Sequence, residues 1–217
     1  MLEAAYEMLP LLLKGAKVTL IVAILSSAVT LVCAVAAGLC RLSKKRWVRA
    51  VTMGYVEVFR GTSLLIQLIW VYFALPLIGI DLDKLAAAVL AIGLNYGAYG
   101  SEIVRSTLLA IPAGQREAAI ALNFTPAQAM VRILFPQAFL RMLPPLGNLM
   151  IELVKGTSLV YFITLTDLLY SALVLRTSYH SQTGYILLFV LVIYFAINYV
   201  VSLLVRMLER KLSAGRF

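Results

Sequence analysis

Residues 18–40 and 61–80 of this chain carry no formal charge. Each stretch is long enough to cross a ~30 Å hydrocarbon layer as a helix. Three more apolar stretches follow, at 85 to about 101, at about 142 to 160 with charges inside it, and at 184–205. The pattern predicts an all-α, polytopic membrane protein with about five transmembrane helices, one membrane domain over residues 1–217, and chain ends on opposite sides. Between the third and fourth spans the pattern changes to REAAIALNFTPAQAMVRILFP, residues 116–136. Pro112 and Gly114 end the preceding helix, and a short helix from about 115 to 122 follows. Asn123 suits the position just past that helix, where a left-handed backbone is often needed. Thr125 can cap the next helix, with Pro126 at its first position and Gln128 completing a capping box. Two short helices at a sharp angle are expected. Pro136 should limit the second, with another break at Pro144 and Pro145.

Composition agrees with a membrane protein. Of 217 residues, 62% are hydrophobic and 13% charged, and the mean hydropathy of +0.95 exceeds the range of a soluble domain. Positive charges set the orientation. Arg41, Lys44, Lys45, Arg46 and Arg49 follow the first span, and Arg206, Arg210, Lys211 and Arg216 follow the fifth. Arg105, Arg116, Arg132 and Arg141 surround the polar stretch, whereas only Asp81, Asp83 and Lys84 join spans two and three. The polar stretch and the C-terminus are therefore expected in the cytoplasm, with the N-terminus and residues 161–183 outside. The net charge of +9 then reads as topology rather than nucleic-acid binding. The first apolar run is too long for a signal h-region and is preceded by Glu3, Glu7, Lys14 and Lys17, so it is expected to be retained. Cys33 and Cys40 fit neither a metal site nor an obvious disulfide and are expected to pack.

The spacing of the polar stretch carries a resemblance. Glu117, Ala118, Ala119, then Asn123, Ile133 and Pro136, resemble the EAA loop of ATP-binding-cassette (ABC) importer permeases: EAA, three residues, Gly, nine residues, I-x-L-P. Asn123 replaces the Gly, and Phe135 replaces the Leu. The resemblance implies a type I importer permease fold in a bacterial cytoplasmic (inner) membrane. It also implies a coupling loop at about 112–136, in which Arg116, Glu117, Ala118, Ala119, Leu122 and Asn123 dock on a cytoplasmic ATP-binding subunit. That partner would carry the ATP and Mg, and no cofactor is expected on this chain. A second permease subunit, identical or homologous, an external solute-binding protein and membrane lipid are the other implied partners. EVFRGTSLLIQL (57–68), residues 93–119 and residues 143–169 are similar to the polar amino-acid uptake group. ALNFTPAQAM and RMLPPLGNLMIELVKGTSL most resemble permeases for ectoine and hydroxyectoine, which are zwitterionic compatible solutes.

Polar residues inside the spans mark either a solute path or contacts between helices, since an acidic group near the bilayer centre costs roughly 2.5–3.5 kcal/mol on insertion scales. Asn148, Glu152 and Lys155 form one stripe at i, i+4 and i+7, and Asn95, Tyr99 and Glu102 repeat it on span three. Gln67 and Tyr72 lie on span two, and Tyr194 and Asn198 on span five. The path reading takes Gln67, Asn95, Tyr99, Glu102, Asn148 and Glu152 as its candidates. In the other reading Glu152 pairs with Lys155 and the remaining groups hold helices together. Thr166 and Asp167 either face the outer side or cap a helix, and Glu57 with Arg60 is a candidate internal ion pair.

Catalysis has no foothold in the sequence. There is no G-x-x-x-x-G-K-[ST] phosphate loop, no H-E-x-x-H and no G-x-S-x-G turn, and His180 is the one histidine. A secondary transporter or channel without an ATPase partner fits the polar stripes equally. The cytoplasmic EAA loop is what favours the ATP-driven assembly.

Overall fold

The computed structural model describes residues 2–213, so Arg216 lies outside the described residues. The fold is all-helical. The first helix, α1 (Leu2–Cys40), is followed by α2 (Arg46–Gly61) and α3 (Leu64–Ile69), and α3 continues through a π-helical turn and a 3-10 turn to Ile78. Next come α4 (Lys84–Leu109), α5 (Ala113–Ala121) and α6 (Pro126–Ala129), which passes through a π-helical turn into α7 (Phe135–Gly156). A 3-10 segment (Thr157–Ile163), α8 (Leu168–Ser178) and α9 (Thr183–Ser213) complete the described chain.

Three helical stretches, Met8–Cys40, Pro126–Ile163 and His180–Leu212, are long and apolar enough to cross a membrane. A fourth exists only as the pair Arg46–Gly61 and Leu64–Ile78, bent by 106° at the break between them. The remaining expected span, the third, is α4, which is less apolar for a physical reason. It lies among the other helices, with Ala87, Ala88, Ala91, Ile92, Asn95, Ala98, Ser101 and Val104 buried along it, so protein rather than lipid is its solvent.

Small residues seat α4 against α1. A Cβ added at Gly93 would stand 2.5 Å from Val29, one at Gly97 2.6 Å from Cys33, and one at Gly100 2.7 Å from Ala34. The three glycines recur at i, i+4 and i+7, so they form one groove into which α1 presses. This is the close backbone approach by which membrane helices gain packing energy where lipid offers no hydrophobic gradient. Cys33 thus packs, and both cysteines are free. At its other end α1 meets α8: the Leu168 amide donates to Thr19 Oγ1 at 3.1 Å, and Gly15 lies under Ser171 and the Asp167 carbonyl.

Three expectations change. Span two starts at Leu64 rather than at residue 61, because the helix breaks at Thr62 and Ser63 and Arg46–Gly61 leaves at a steep angle. Pro136 does not end the second short helix, and Pro144 and Pro145 lie inside α7 without breaking it. A proline φ is already helical, so its cost is a lost amide bond and a local clash; buried Met142, Leu143, Leu146 and Gly147 around the pair hold the helix straight on. Glu57 and Arg60 form no ion pair among the described residues; the Arg60 guanidinium instead lies 5.2 Å above the Tyr99 ring.

Replacing Gly100 with Val should overpack the α1–α4 groove and cost about 1–3 kcal/mol, read as a lower melting temperature of the detergent-purified chain. Gly54→Ala, where nothing stands within 4 Å of the added Cβ, should leave that temperature unchanged or slightly raised.

Candidate functional site: a polar cleft at a broken helix

A helix that stops leaves its last carbonyls without amide partners. At the end of α2 side chains take over that role. Thr62 Oγ1 donates to the Val58 carbonyl at 2.7 Å. Gln67 Nε2 and Asn95 Nδ2 each donate to the Phe59 carbonyl at 2.9 Å, and the Tyr99 hydroxyl donates to the Arg60 carbonyl at 3.4 Å. Asn95 also donates to Gln67 Oε1 at 3.0 Å, and Gln67 to Thr62 Oγ1 at 2.7 Å. Three of the path candidates, Gln67, Asn95 and Tyr99, therefore form one network that caps the break.

The break opens on a half-open cleft of about 450 Å³ lined by Thr62, Ser63, Leu64, Asn95, Tyr96, Tyr99, Leu149 and Glu152. The Tyr96 hydroxyl donates to the Glu152 backbone carbonyl at 2.9 Å, tying α4 to α7 across its floor. The Glu152 carboxylate is 64% exposed and stands 3.6 Å from Lys155 Nζ, itself 60% exposed. Both readings of Glu152 thus meet in one place: it pairs with Lys155 and it lines the cleft.

Two further candidates stand elsewhere. Asn148 lies in a separate cavity of about 260 Å³ between α7 and α9, beside Ser202, Arg206 and Glu209. Glu102 is bridged by Arg41 at the end of α1 and by Arg105, whose Nη2 donates to Oε1 at 2.5 Å. Thr62, Ser63 and Tyr96 line the cleft although the sequence reading did not name them. The signal for Thr62 and Ser63 was present: helical periodicity over 46–61, then two small hydroxyl residues before an apolar run.

Asp167 caps α8, accepting from the Tyr170 amide at 2.9 Å.

The polar loop lies beyond α4. Asn123 has φ 57°, as its position past α5 requires, and the Phe124 amide reaches back to the Ala119 carbonyl at 3.0 Å to close the helix end. Thr125 and Gln128 form the full capping box. On α5 Ala119 is buried, while Arg116, Glu117, Ala118, Ile120 and Leu122 are exposed. Gln137 Nε2 of α7 donates to Gln115 Oε1 at 3.1 Å and fixes α5 to the next span.

A helical membrane protein with a polar cleft at an interrupted span, and a capped polar loop beyond one of its cleft helices, has the build of a permease. The chain belongs to the family described as binding-protein-dependent transport system inner membrane components, which matches residues 29–214. It is 44% identical over 209 residues to a probable amino-acid ABC transporter permease protein, y4tF, of Sinorhizobium fredii, covering 94% of this chain and 87% of that relative. It is 37% identical over 213 residues to the glutamine transport system permease protein GlnP of Escherichia coli, covering 97% of each. A crystal structure of an amino acid ABC transporter with histidines superposes with a TM-score of 0.87 at 31% identity, over 95% of this chain and 96% of that one.

The chain is thus a permease subunit of an ABC importer, and ATP hydrolysis lies on a partner subunit. An ATP-binding subunit and a substrate-binding protein are partners that the family implies. The reading as a secondary transporter without an ATPase gives way to this membership.

Asn95→Leu should leave the Phe59 carbonyl and Gln67 Oε1 without the Asn95 donor. The expected loss is about 1–3 kcal/mol, measured as a lower melting temperature. Asn123→Gly should be neutral and Asn123→Val destabilising by about 1 kcal/mol or more, since a branched side chain resists that backbone.

Proposed function

We propose that this permease carries a polar amino acid or a related zwitterion, ectoine and hydroxyectoine included, into the cell through the cleft at the α2–α3 break. The observation that carries the reading is Glu152, which lines the cleft and pairs with Lys155 three residues on. A zwitterion presents an ammonium and a carboxylate, so it can replace each side chain as partner of the other without leaving a charge bare. The relative named for glutamine supports the amino-acid class. Ectoine rests on the likeness of ALNFTPAQAM and RMLPPLGNLMIELVKGTSL alone.

In this reading the loop end of the bundle faces the cytoplasm and the N-terminus lies outside, in a bacterial inner membrane. A second permease subunit, identical or homologous, closes the open side of the cleft. Arg116, Glu117, Ala118, Ala119, Leu122 and Asn123 form the surface that meets the ATP-binding subunit, which supplies ATP and Mg. Exposed Ile120 and Leu122 add apolar area to that surface. Closure of the ATPase pair pushes on α5, and the Gln115–Gln137 contact passes the movement into α7, which carries Glu152.

Two variants in the assembled transporter test the reading. Glu152→Gln should lower uptake at least about tenfold, the equivalent of about 1.4 kcal/mol, with normal assembly; unchanged uptake would remove Glu152 from the path. Glu117→Arg should lose the ATP-binding subunit during purification, and retention of that subunit would place the docking surface elsewhere. Competition of labelled glutamine uptake by unlabelled ectoine separates the solute classes: competition favours the zwitterion reading, and its absence confines the cleft to amino acids.

A further inference from the structure

The basic residues at the start of α2 are commonly read as topology alone, yet their arrangement is that of a surface. Lys44, Lys45, Arg46 and Arg49 are all exposed, and none of them forms an ion pair among the described residues. Beside them Trp47 is 67% and Val51 68% exposed, and Val58 continues the same face at 60%. Gly54 stands between these residues with nothing near it. Only the later part of α2 packs on the bundle: Val56 is buried, and Tyr55 donates to the Leu94 carbonyl at 2.6 Å. An exposed apolar stripe along one side of α2, with four unpaired cations at the start of the helix and turned away from the stripe, is the composition of a helix that lies in a membrane interface.

The direction of α2 fits the same environment. It meets Leu64–Ile78 at 106°, so α2 lies across the direction of that segment rather than in line with it. The Gly38–Val104 contact puts the end of α1 beside the end of α4 from which the 113–121 loop departs. The cations therefore sit on the side of the bundle where that loop emerges, and exposed Trp47 stands among them.

We propose that the Lys44–Arg49 segment and the Trp47–Val51 face bind the headgroup and upper acyl chains of anionic phospholipids. Charge complementarity selects this occupant: four cations without protein partners suit a phosphate-rich anionic surface, and the apolar stripe beside them gives the same molecule somewhere to place its tails. The site anchors the helix that runs into Thr62, Ser63 and Leu64, which form one wall of the solute cleft. Bound lipid thereby steadies that wall.

The experiment uses the full chain with Trp70→Phe, which leaves Trp47 as the reporting fluorophore because the chain has two tryptophans. Brominated phosphatidylglycerol and brominated phosphatidylcholine with the same acyl chains are added to the detergent-solubilised protein. Phosphatidylglycerol should quench Trp47 at several-fold lower concentration. The preference should vanish at high salt and in the Lys44→Gln, Lys45→Gln, Arg46→Gln, Arg49→Gln variant, whose folding is checked by an unchanged melting temperature. Equal quenching by the two lipids would overturn the anionic selectivity. Absence of quenching by either would show that another protein surface, such as a second copy, covers Trp47, and would overturn the lipid site. Neither result touches solute uptake, so the proposed transport function stands or falls separately.

Discussion

The break at Thr62 leaves the last carbonyls of α2 without amide partners, and the rest of the site follows from how they are satisfied. Here Thr62, Gln67, Asn95 and Tyr99 supply the donors to Val58, Phe59 and Arg60. The part-buried Phe59 carbonyl would cost about 1–3 kcal/mol if left unmet, so the network helps the helix to stop and turn at this point. Once it stops, the hydroxyl residues Thr62 and Ser63 come to face Tyr96, Tyr99 and Glu152. The polar side chains that hold the helices together and the ones that make the cleft polar are thus partly the same.

A second consequence concerns stiffness. α4 carries the cleft residues Asn95, Tyr96 and Tyr99 and ends three residues before α5 begins. It is locked to α1 by the glycine groove and by the Arg41–Glu102–Arg105 bridge. α7 carries Glu152 and is continuous back through the π-helical turn to the capped start at Thr125. The two helices that flank the cleft are therefore the two that emerge at the loop. Both ends of the loop are thus held by helices that run to the cleft.

Local chemistry was legible in the sequence, and tertiary compensation was not. The Asn123 backbone and the Thr125–Gln128 capping box follow from neighbours within a few residues, so spacing alone gave them. The EAA spacing led to the family for the same reason. Pro144 and Pro145 misled because the sequence shows the lost amides but not the packing around Leu143, Leu146 and Gly147 that outweighs them. The break at Thr62 was hidden inside a charge-free run, whose hydropathy is blind to a change in helix direction. Gln67, Asn95, Tyr99 and Glu152 could be picked out as polar groups in apolar surroundings. Which of them met one another depended on the 106° turn, and Asn148 and Glu102, chosen by the same criterion, point into different surroundings.

The most direct test of the account is whether the cleft at the break is where solute passes. Cys33 and Cys40 are first replaced by Ala and Ser63 by Cys, and the assembled importer is treated with a small water-soluble maleimide with and without the transported solute. The account predicts that Cys at 63 is labelled and that solute slows the labelling. Labelling that is absent, or indifferent to solute, would contradict a path through this cleft.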